Sequence, residues 1–329
     1  MHKEQHQNAR ASDEASRVTK SSTKVPNCGT FYGEWKGHPI EDLNSFRDIA
    51  RQRRPAQPTV YLAGDSSLDN KYWVPGSGPH GDPLEVEVPE IYHYTLNRPQ
   101  PKPDVAFWMN HVLGNRATCI NAAIEASMLR ERADDLLPHD KFIRDNIQKE
   151  DVLIVSVGCN DVAMSPNFST IWRMLMLSYL TGSSSIEKGD AWCLPHFARL
   201  FGTQTEAYIN RLCSKTKPRA VVLCMIYFPL EAQYGQKGWA DLPLKALGYN
   251  SNPIKLQTAI RQMYEMGTKR VKIEGTEVIP TALYETLDGS CSEHYVDRVE
   301  PSSRGGRKMA EHFMALIDKL IPPEYHTYV

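Results

Sequence analysis

The sequence predicts an α/β fold in three layers, α/β/α, around a mostly parallel five-stranded sheet. Short apolar runs at 60–63, 117–121, 152–157, 220–227 and 277–279 read as strands, with helical stretches between them. That alternation implies parallel strands covered on both faces by their crossover helices. Three of the runs also break directly into polar loops, which carries polar groups to one edge of the sheet, where an α/β fold keeps its ligands.

Taken in chain order, residues 1–24 are rich in Lys, Arg, Glu, Gln, Ser and Asn, lack an apolar stretch and read as a disordered tail. Residues 25–57 carry Phe31, Tyr32 and Trp35 and read as a strap on the surface of a main domain at 58–322, with a tail at 323–329. The first strand ends in Gly64-Asp65-Ser66-Ser67-Leu68-Asp69-Asn70, so a serine hydroxyl stands at the carboxyl edge of the sheet. An insertion at 71–104, with many prolines and glycines and with Tyr72, Trp73, Tyr92 and Tyr94, reads as an ordered loop near Ser66. The second strand runs into Asn121-Ala122-Ala123 and the third into Gly158-Cys159-Asn160-Asp161. A longer insertion at 163–205 holds Trp172 and Met176 and reads either as a lid over an apolar pocket or as a helical hairpin that extends the core. Trp239, with Gly235 and Gly238, reads as a further loop on the same edge. Asp297-Arg298-Val299-Glu300-Pro301-Ser302-Ser303 then leads into a helix at 306–320.

These blocks, in this order, resemble the SGNH hydrolases, also called GDSL esterases and lipases, across about 58–320. The resemblance implies that family's flavodoxin-like three-layer fold. It matches Ser66 to the nucleophile, Ala123 to the glycine whose N–H serves the oxyanion hole, Asn160 to the asparagine of Gly-x-Asn-Asp, and Asp297 to the aspartate of Asp-x-x-His. The histidine position holds Glu300.

A serine hydroxyl needs an adjacent base, and an ordinary glutamate, with a pKa of about 4.3, is a weak one. Burial or the nearby Asp297 carboxylate can raise that value, and His294 is a second candidate base. Alanine at 123 keeps the N–H that an oxyanion hole uses. Asp65, Trp73, Trp172 and Met176 are assigned to substrate contact. Arg298 and Arg304, flanking Glu300, are read as binding a substrate carboxylate, as holding the site carboxylates, or as solvated.

The function expected is an esterase or acyl hydrolase acting on an apolar or aromatic small-molecule ester through Ser66. The alternatives are a non-hydrolytic acid–base enzyme, such as a cyclase, dehydratase or isomerase, that uses Glu300, and a ligand-binding protein without catalysis. A net charge of −1 over 329 residues gives no charge excess for nucleic acid, and the longest apolar run, 220–228, is too short to span a bilayer. Seven cysteines, without Cys-x-x-Cys spacing, predict reduced thiols, a cytoplasmic location, and no metal or cofactor.

Overall fold

The computed structural model describes residues 23–76, 84–163, 183–192, 194–321 and 323. Nearly all of the predicted tail at 1–24, the candidate contacts Trp172 and Met176, and the end of the chain after 323 lie outside the described residues.

Five strands form one all-parallel sheet: β1 (Thr59–Gly64), β2 (Thr118–Asn121), β3 (Val152–Ser156), β4 (Ala220–Met225) and β5 (Glu277–Ala282), in the order β2-β1-β3-β4-β5. Strands β1 to β4 are buried at every position, as strands covered on both faces must be. β5 runs past the expected 277–279 and is half-buried over most of its length. Among the described residues it pairs with β4 alone, and at such an edge Pro280 leaves no ladder bond missing on an inner strand.

Among the described residues, the helices that matter most to the site and its support are α1 (Ile40–Arg53), α2 (Val105–Leu113), α3 (Pro138–Asn146), α4 (Thr205–Leu212), α5 (Asp241–Ala246), α6 (Pro253–Met266) and α7 (Ser303–Ile317). The pairs α2 with α7 and α3 with α4 pack against each other, and right-handed crossovers put these pairs on opposite faces of the sheet. The result is a three-layer α/β/α fold. Within the strap, α1 packs against α3 and reaches β2; Phe31 and Tyr32 are buried, while Trp35 is exposed. The described part of the 163–205 insertion extends the core, since Ile186, Leu194, Phe197 and Phe201 are buried in it.

The chain leaves β1 for β2 on one side and then passes back to β3 on the other. The gap between β1 and β3 is therefore the point at which strand order reverses, and the crevice at its carboxyl end is where such folds bind ligands. Ser66 follows β1 and Asn160 follows β3, so the two sit on either side of that gap.

Two close approaches fix the edge. Gly64 has φ 149°, and a Cβ there would lie 1.8 Å from the Ser156 carbonyl oxygen of β3. At the start of α7, a Cβ on Gly305 would lie 2.1 Å from the His294 carbonyl oxygen, so glycine lets the helix press on the segment that carries Glu300. The Ser302 hydroxyl caps that helix by accepting from the Gly305 N–H at 3.1 Å.

Gly64→Ala is expected to destabilise the protein by about 3–5 kcal/mol, because the clash is with backbone that cannot swing aside. Urea denaturation checks this, and a loss below about 1 kcal/mol would mean that the two strand ends can part.

Candidate active site

The turn after β1 is tied by its own side chains. Asp65 Oδ1 accepts from the Ser67 N–H at 3.1 Å and from the Ser67 hydroxyl at 2.7 Å, while Ser67 and Ser156 join hydroxyl to hydroxyl at 2.6 Å. The Asp65 carbonyl accepts from the N–H groups of Leu68 and Asp69. Ser66 sits inside this turn, nearly buried, and its own N–H has no partner among the described residues.

Asn70 links that block to the far end of the chain. Its amide donates to the Pro301 carbonyl at 2.9 Å, and its oxygen accepts from the Val105 N–H at 3.0 Å. Glu300 lies directly before Pro301, in a small antiparallel hairpin of β6 (Tyr295–Val296) and β7 (Glu300–Pro301). The Tyr295 hydroxyl donates to the Phe228 carbonyl at 2.8 Å, and the Tyr227 hydroxyl donates to the Val299 carbonyl at 2.5 Å. The Arg298 guanidinium is fully buried and donates to the Leu230 carbonyl, Asp241 and Asn250. Nearly every residue of the hairpin is thus held, and Glu300 is presented to Ser66 by fixed backbone.

The loops after β2 and β3 close the site. The Asn121 amide donates to the Leu68 carbonyl at 2.9 Å, and the Glu125 N–H donates to Asp69 Oδ2 at 2.7 Å. Arg132, fully buried and paired with Asp140 at 2.9 Å, ties the Ser127 hydroxyl and the Gly64 carbonyl to one point. The Asn160 amide donates to the Ser127 carbonyl at 3.0 Å, which uses one of its two hydrogens. Asp161 accepts from the N–H groups of Leu129 and Arg130.

Between these elements lies a narrow cleft with about 50 Å³ open to a water-sized molecule among the described residues. Its polar end is Ser66, Asn160, Cys159 and Glu300; its apolar wall is Tyr227, Trp239, Pro243, Leu244, Leu247 and Val299. Most of the wall comes from α5 and its flanks, with Tyr227 after β4 and Val299 from the β6–β7 turn.

Burial dominates the electrostatics. Glu300 is 3% exposed, and burial raises its pKa well above the carboxylate range. The Asp65, Asp297 and Asp69 carboxylates add to the rise, while the Ser66 hydroxyl lies near enough to favour the charged form. Glu300 Oε2 nonetheless closes no hydrogen bond. Asp65 is likewise raised to about 6 by burial, despite the bonds from Ser67. Burial, with Asp65 and Glu300 nearby, holds the Cys159 thiol well above its ordinary value, so this cysteine is neutral.

The structure therefore brings Ser66, Asn160, Asp65 and Glu300 together, and it places other expected residues elsewhere. The Ala123 N–H is taken by Asn121 Oδ1 at 3.0 Å, so it is not open to an oxyanion. Asp297 is engaged elsewhere, accepting from the Trp239 N–H at 3.1 Å and filling the space over Gly238, while its charge still adds to the rise at Glu300. The charged groups that act on His294 are Lys308, Asp288, Glu293 and Arg304, none of them in the cleft. Arg298 is a strut of the hairpin, and Arg304 is an exposed partner of Glu293 and Glu85, so neither lines the cleft. Trp73 does not line it either; its indole lies beside Glu125. Sequence reasoning missed Glu125, Asn121 and Tyr227, which belong to no spacing pattern and are recognisable only by what they touch.

No family model and no curated protein matches the chain. Solved structures similar to it include a lipase/acylhydrolase from Enterococcus faecalis, at 12% identity over 82% of this chain and 100% of that one, with a TM-score of 0.40. A family 3 carbohydrate esterase from Clostridium thermocellum has 10% identity over 80% and 97%, with a TM-score of 0.41. An aryl esterase from M. smegmatis has 13% identity over 80% and 99%, with a TM-score of 0.38.

Because burial raises Glu300, the native state keeps a proton that the unfolded chain releases near pH ~4.3. The native state binds more protons above that pH, so stability falls as pH rises toward the folded value. Glu300→Gln removes this loss. Its melting temperature is expected to match the parent's near pH ~4 and to exceed it by at least about 2 °C near pH ~8. Parallel curves in thermal melts would show that Glu300 titrates normally.

Proposed function

We propose that this chain is a serine hydrolase of the SGNH type that cleaves a neutral carboxylic ester with a small apolar or aromatic group. The observation that carries the reading is the buried Glu300 carboxyl beside the Ser66 hydroxyl, at the strand-order reversal of a parallel sheet. A carboxylate raised toward neutral pH is a far better base for a serine than an ordinary one, because proton transfer is most effective when the base's pKa lies near the working pH.

In the reaction the Ser66 hydroxyl passes its proton to Glu300 as Oγ bonds to the ester carbon. The carbonyl electrons move to oxygen, where the Ser66 N–H and the free hydrogen of the Asn160 amide stabilise the charge. When the carbonyl re-forms, the bond to the leaving alkoxide breaks, and Glu300 returns the proton to it. Water then repeats the sequence on the acyl-serine, with Glu300 again taking and returning a proton. The wall of Tyr227, Trp239, Leu244 and Leu247 receives the apolar group, and the Asp65 and Glu300 carboxyls in the cleft disfavour an anionic substrate.

One observation favours a second reading, a non-hydrolytic acid–base enzyme. The Ala123 N–H is already bonded to Asn121, which leaves the oxyanion site one donor short of the family pattern. In that case Glu300 moves protons and Ser66 only donates a hydrogen bond.

Intact-mass analysis after treatment with a fluorophosphonate separates the two readings. Hydrolysis predicts a single adduct that is absent from Ser66→Ala, together with a fall of at least about 10³ in kcat/KM for short aryl esters in that variant. A folded protein that takes up no label would sink the serine mechanism.

A further inference from the structure

We propose that residues 237–247 form a lid over Ser66, latched shut by Asp241 on Arg298, and that its opening sets how large an ester reaches the serine. The choice of ester as the ligand rests on the serine-hydrolase reading above; the lid itself does not.

The cleft is too small as it stands. About 50 Å³ is open beside Ser66, against the roughly 300–1,000 Å³ of pockets that hold a small organic ligand. Five residues of the 237–247 segment line it: Trp239, Ala240, Pro243, Leu244 and Leu247. Whatever enlarges the cleft on that side must move this segment.

The segment is built to move as one piece between two fixed points. On one side the Gln236 amide donates to the Ser292 and Tyr295 carbonyls at 2.8 and 2.7 Å, and its oxygen accepts from the Arg298 N–H at 3.2 Å. On the other side Tyr249 is fully buried and donates to the Pro229 carbonyl at 2.6 Å. Gly248, next to that anchor, has φ 69°, and nothing lies within 4 Å of where its Cβ would stand, so this pivot has room to turn. Between the anchors, Ala240 and Leu244 join Tyr249 in a small apolar cluster of their own, backed by Leu256 and Val299 and outside the main core. Helix α5 also carries Leu242, 77% exposed, on its outer side, so burial does not bind it to one position.

Two hydrogen bonds tie the segment to the β6–β7 turn. Asp241 Oδ1 accepts from the Arg298 guanidinium at 2.9 Å, and the Trp239 N–H donates to Asp297 at 3.1 Å. Asp241 Oδ2 also accepts from the Gly238 N–H at 3.2 Å, which couples the latch to the loop before α5. Arg298 keeps the Leu230 carbonyl and Asn250 when Asp241 leaves, so opening does not strand a buried charge. Asp241 itself lies outside the cleft.

The test reads the lid through Cys159, which lines the same cleft, with Cys224 of the buried strand β4 as an internal control. Alkylation of each thiol by N-ethylmaleimide is followed by peptide mass mapping in the full chain and in Asp241→Ala. The variant should alkylate Cys159 at least about fivefold faster, with Cys224 unchanged. Should Asp241→Ala fail to fold, Asp241→Asn, which keeps the acceptor and loses the charge, carries the same test at a smaller rise. In parallel, the ratio of kcat/KM for an aryl octanoate to that for the aryl acetate should rise by at least about fivefold in the variant.

An unchanged Cys159 rate, or a Cys224 rate that rises with it, overturns the lid, and Ser66-dependent hydrolysis in the same samples would show that the serine mechanism survives. A faster Cys159 with no hydrolysis in either protein means that the serine mechanism fails while the lid stands. A faster Cys159 with an unchanged octanoate-to-acetate ratio overturns the lid's part in admitting the ester.

Discussion

A carboxyl group taken out of water must keep its proton or be surrounded by donors, and the proposed mechanism depends on Glu300 having no ion pair among the described residues and an Oε2 that accepts no hydrogen bond. An exposed glutamate at the same position would be ionised and inert toward a serine at neutral pH. In the proposed mechanism the identity of residue 300 therefore matters less than the burial and the fixed hairpin that raise its pKa. Glutamate and histidine reach the same working range from opposite sides: imidazole starts there, whereas a carboxylate has to be brought up by burial.

Burial on this scale needs a scaffold that does not relax. The Ser66 turn is tied to β3 through Ser67 and Ser156, and Asn70 ties it to Pro301, 231 residues away in sequence. Arg298 gathers the Leu230 carbonyl, Asp241 and Asn250 beneath the hairpin. A buried guanidinium is not in itself strong evidence of stability, because its desolvation offsets much of what its bonds contribute. Here its structural consequence is geometric: it fixes the turn that carries Glu300, with Asp297 and Arg298 both at positive φ.

The sheet was legible because buried parallel strands are continuous apolar runs, and their ends are marked by the polar residues that follow. The strand at 277–279 was read short because Pro280 interrupts the pattern, although at an edge a proline need not end the strand. Ser66, Asn160 and Glu300 were legible from block order. Glu125 was not, because an acidic residue in a loop after a strand looks like a solvated one until the fold buries it. His294 looked like a candidate base because it is near Glu300 in sequence, but the hairpin sends neighbouring residues in different directions. Arg298 looked like a ligand for anions for the same reason, yet it is buried and bound to the Leu230 carbonyl, Asp241 and Asn250.

Asp297 gives the last step. Behind a histidine, an aspartate orients the ring and stabilises the cation that forms when the ring takes the serine proton. Behind a glutamate no cation ever forms, and a carboxylate in that place would only add repulsion to a base that must spend part of the cycle charged. Asp297 does add to the rise of the Glu300 pKa, but its hydrogen bond goes elsewhere. The Asp297 carboxyl accepts from the Trp239 N–H and occupies the space left by Gly238, where it holds the loop leading to the apolar wall of the cleft. In the proposed mechanism, changing the base from imidazole to carboxylate thus removes the use for a negative charge behind it.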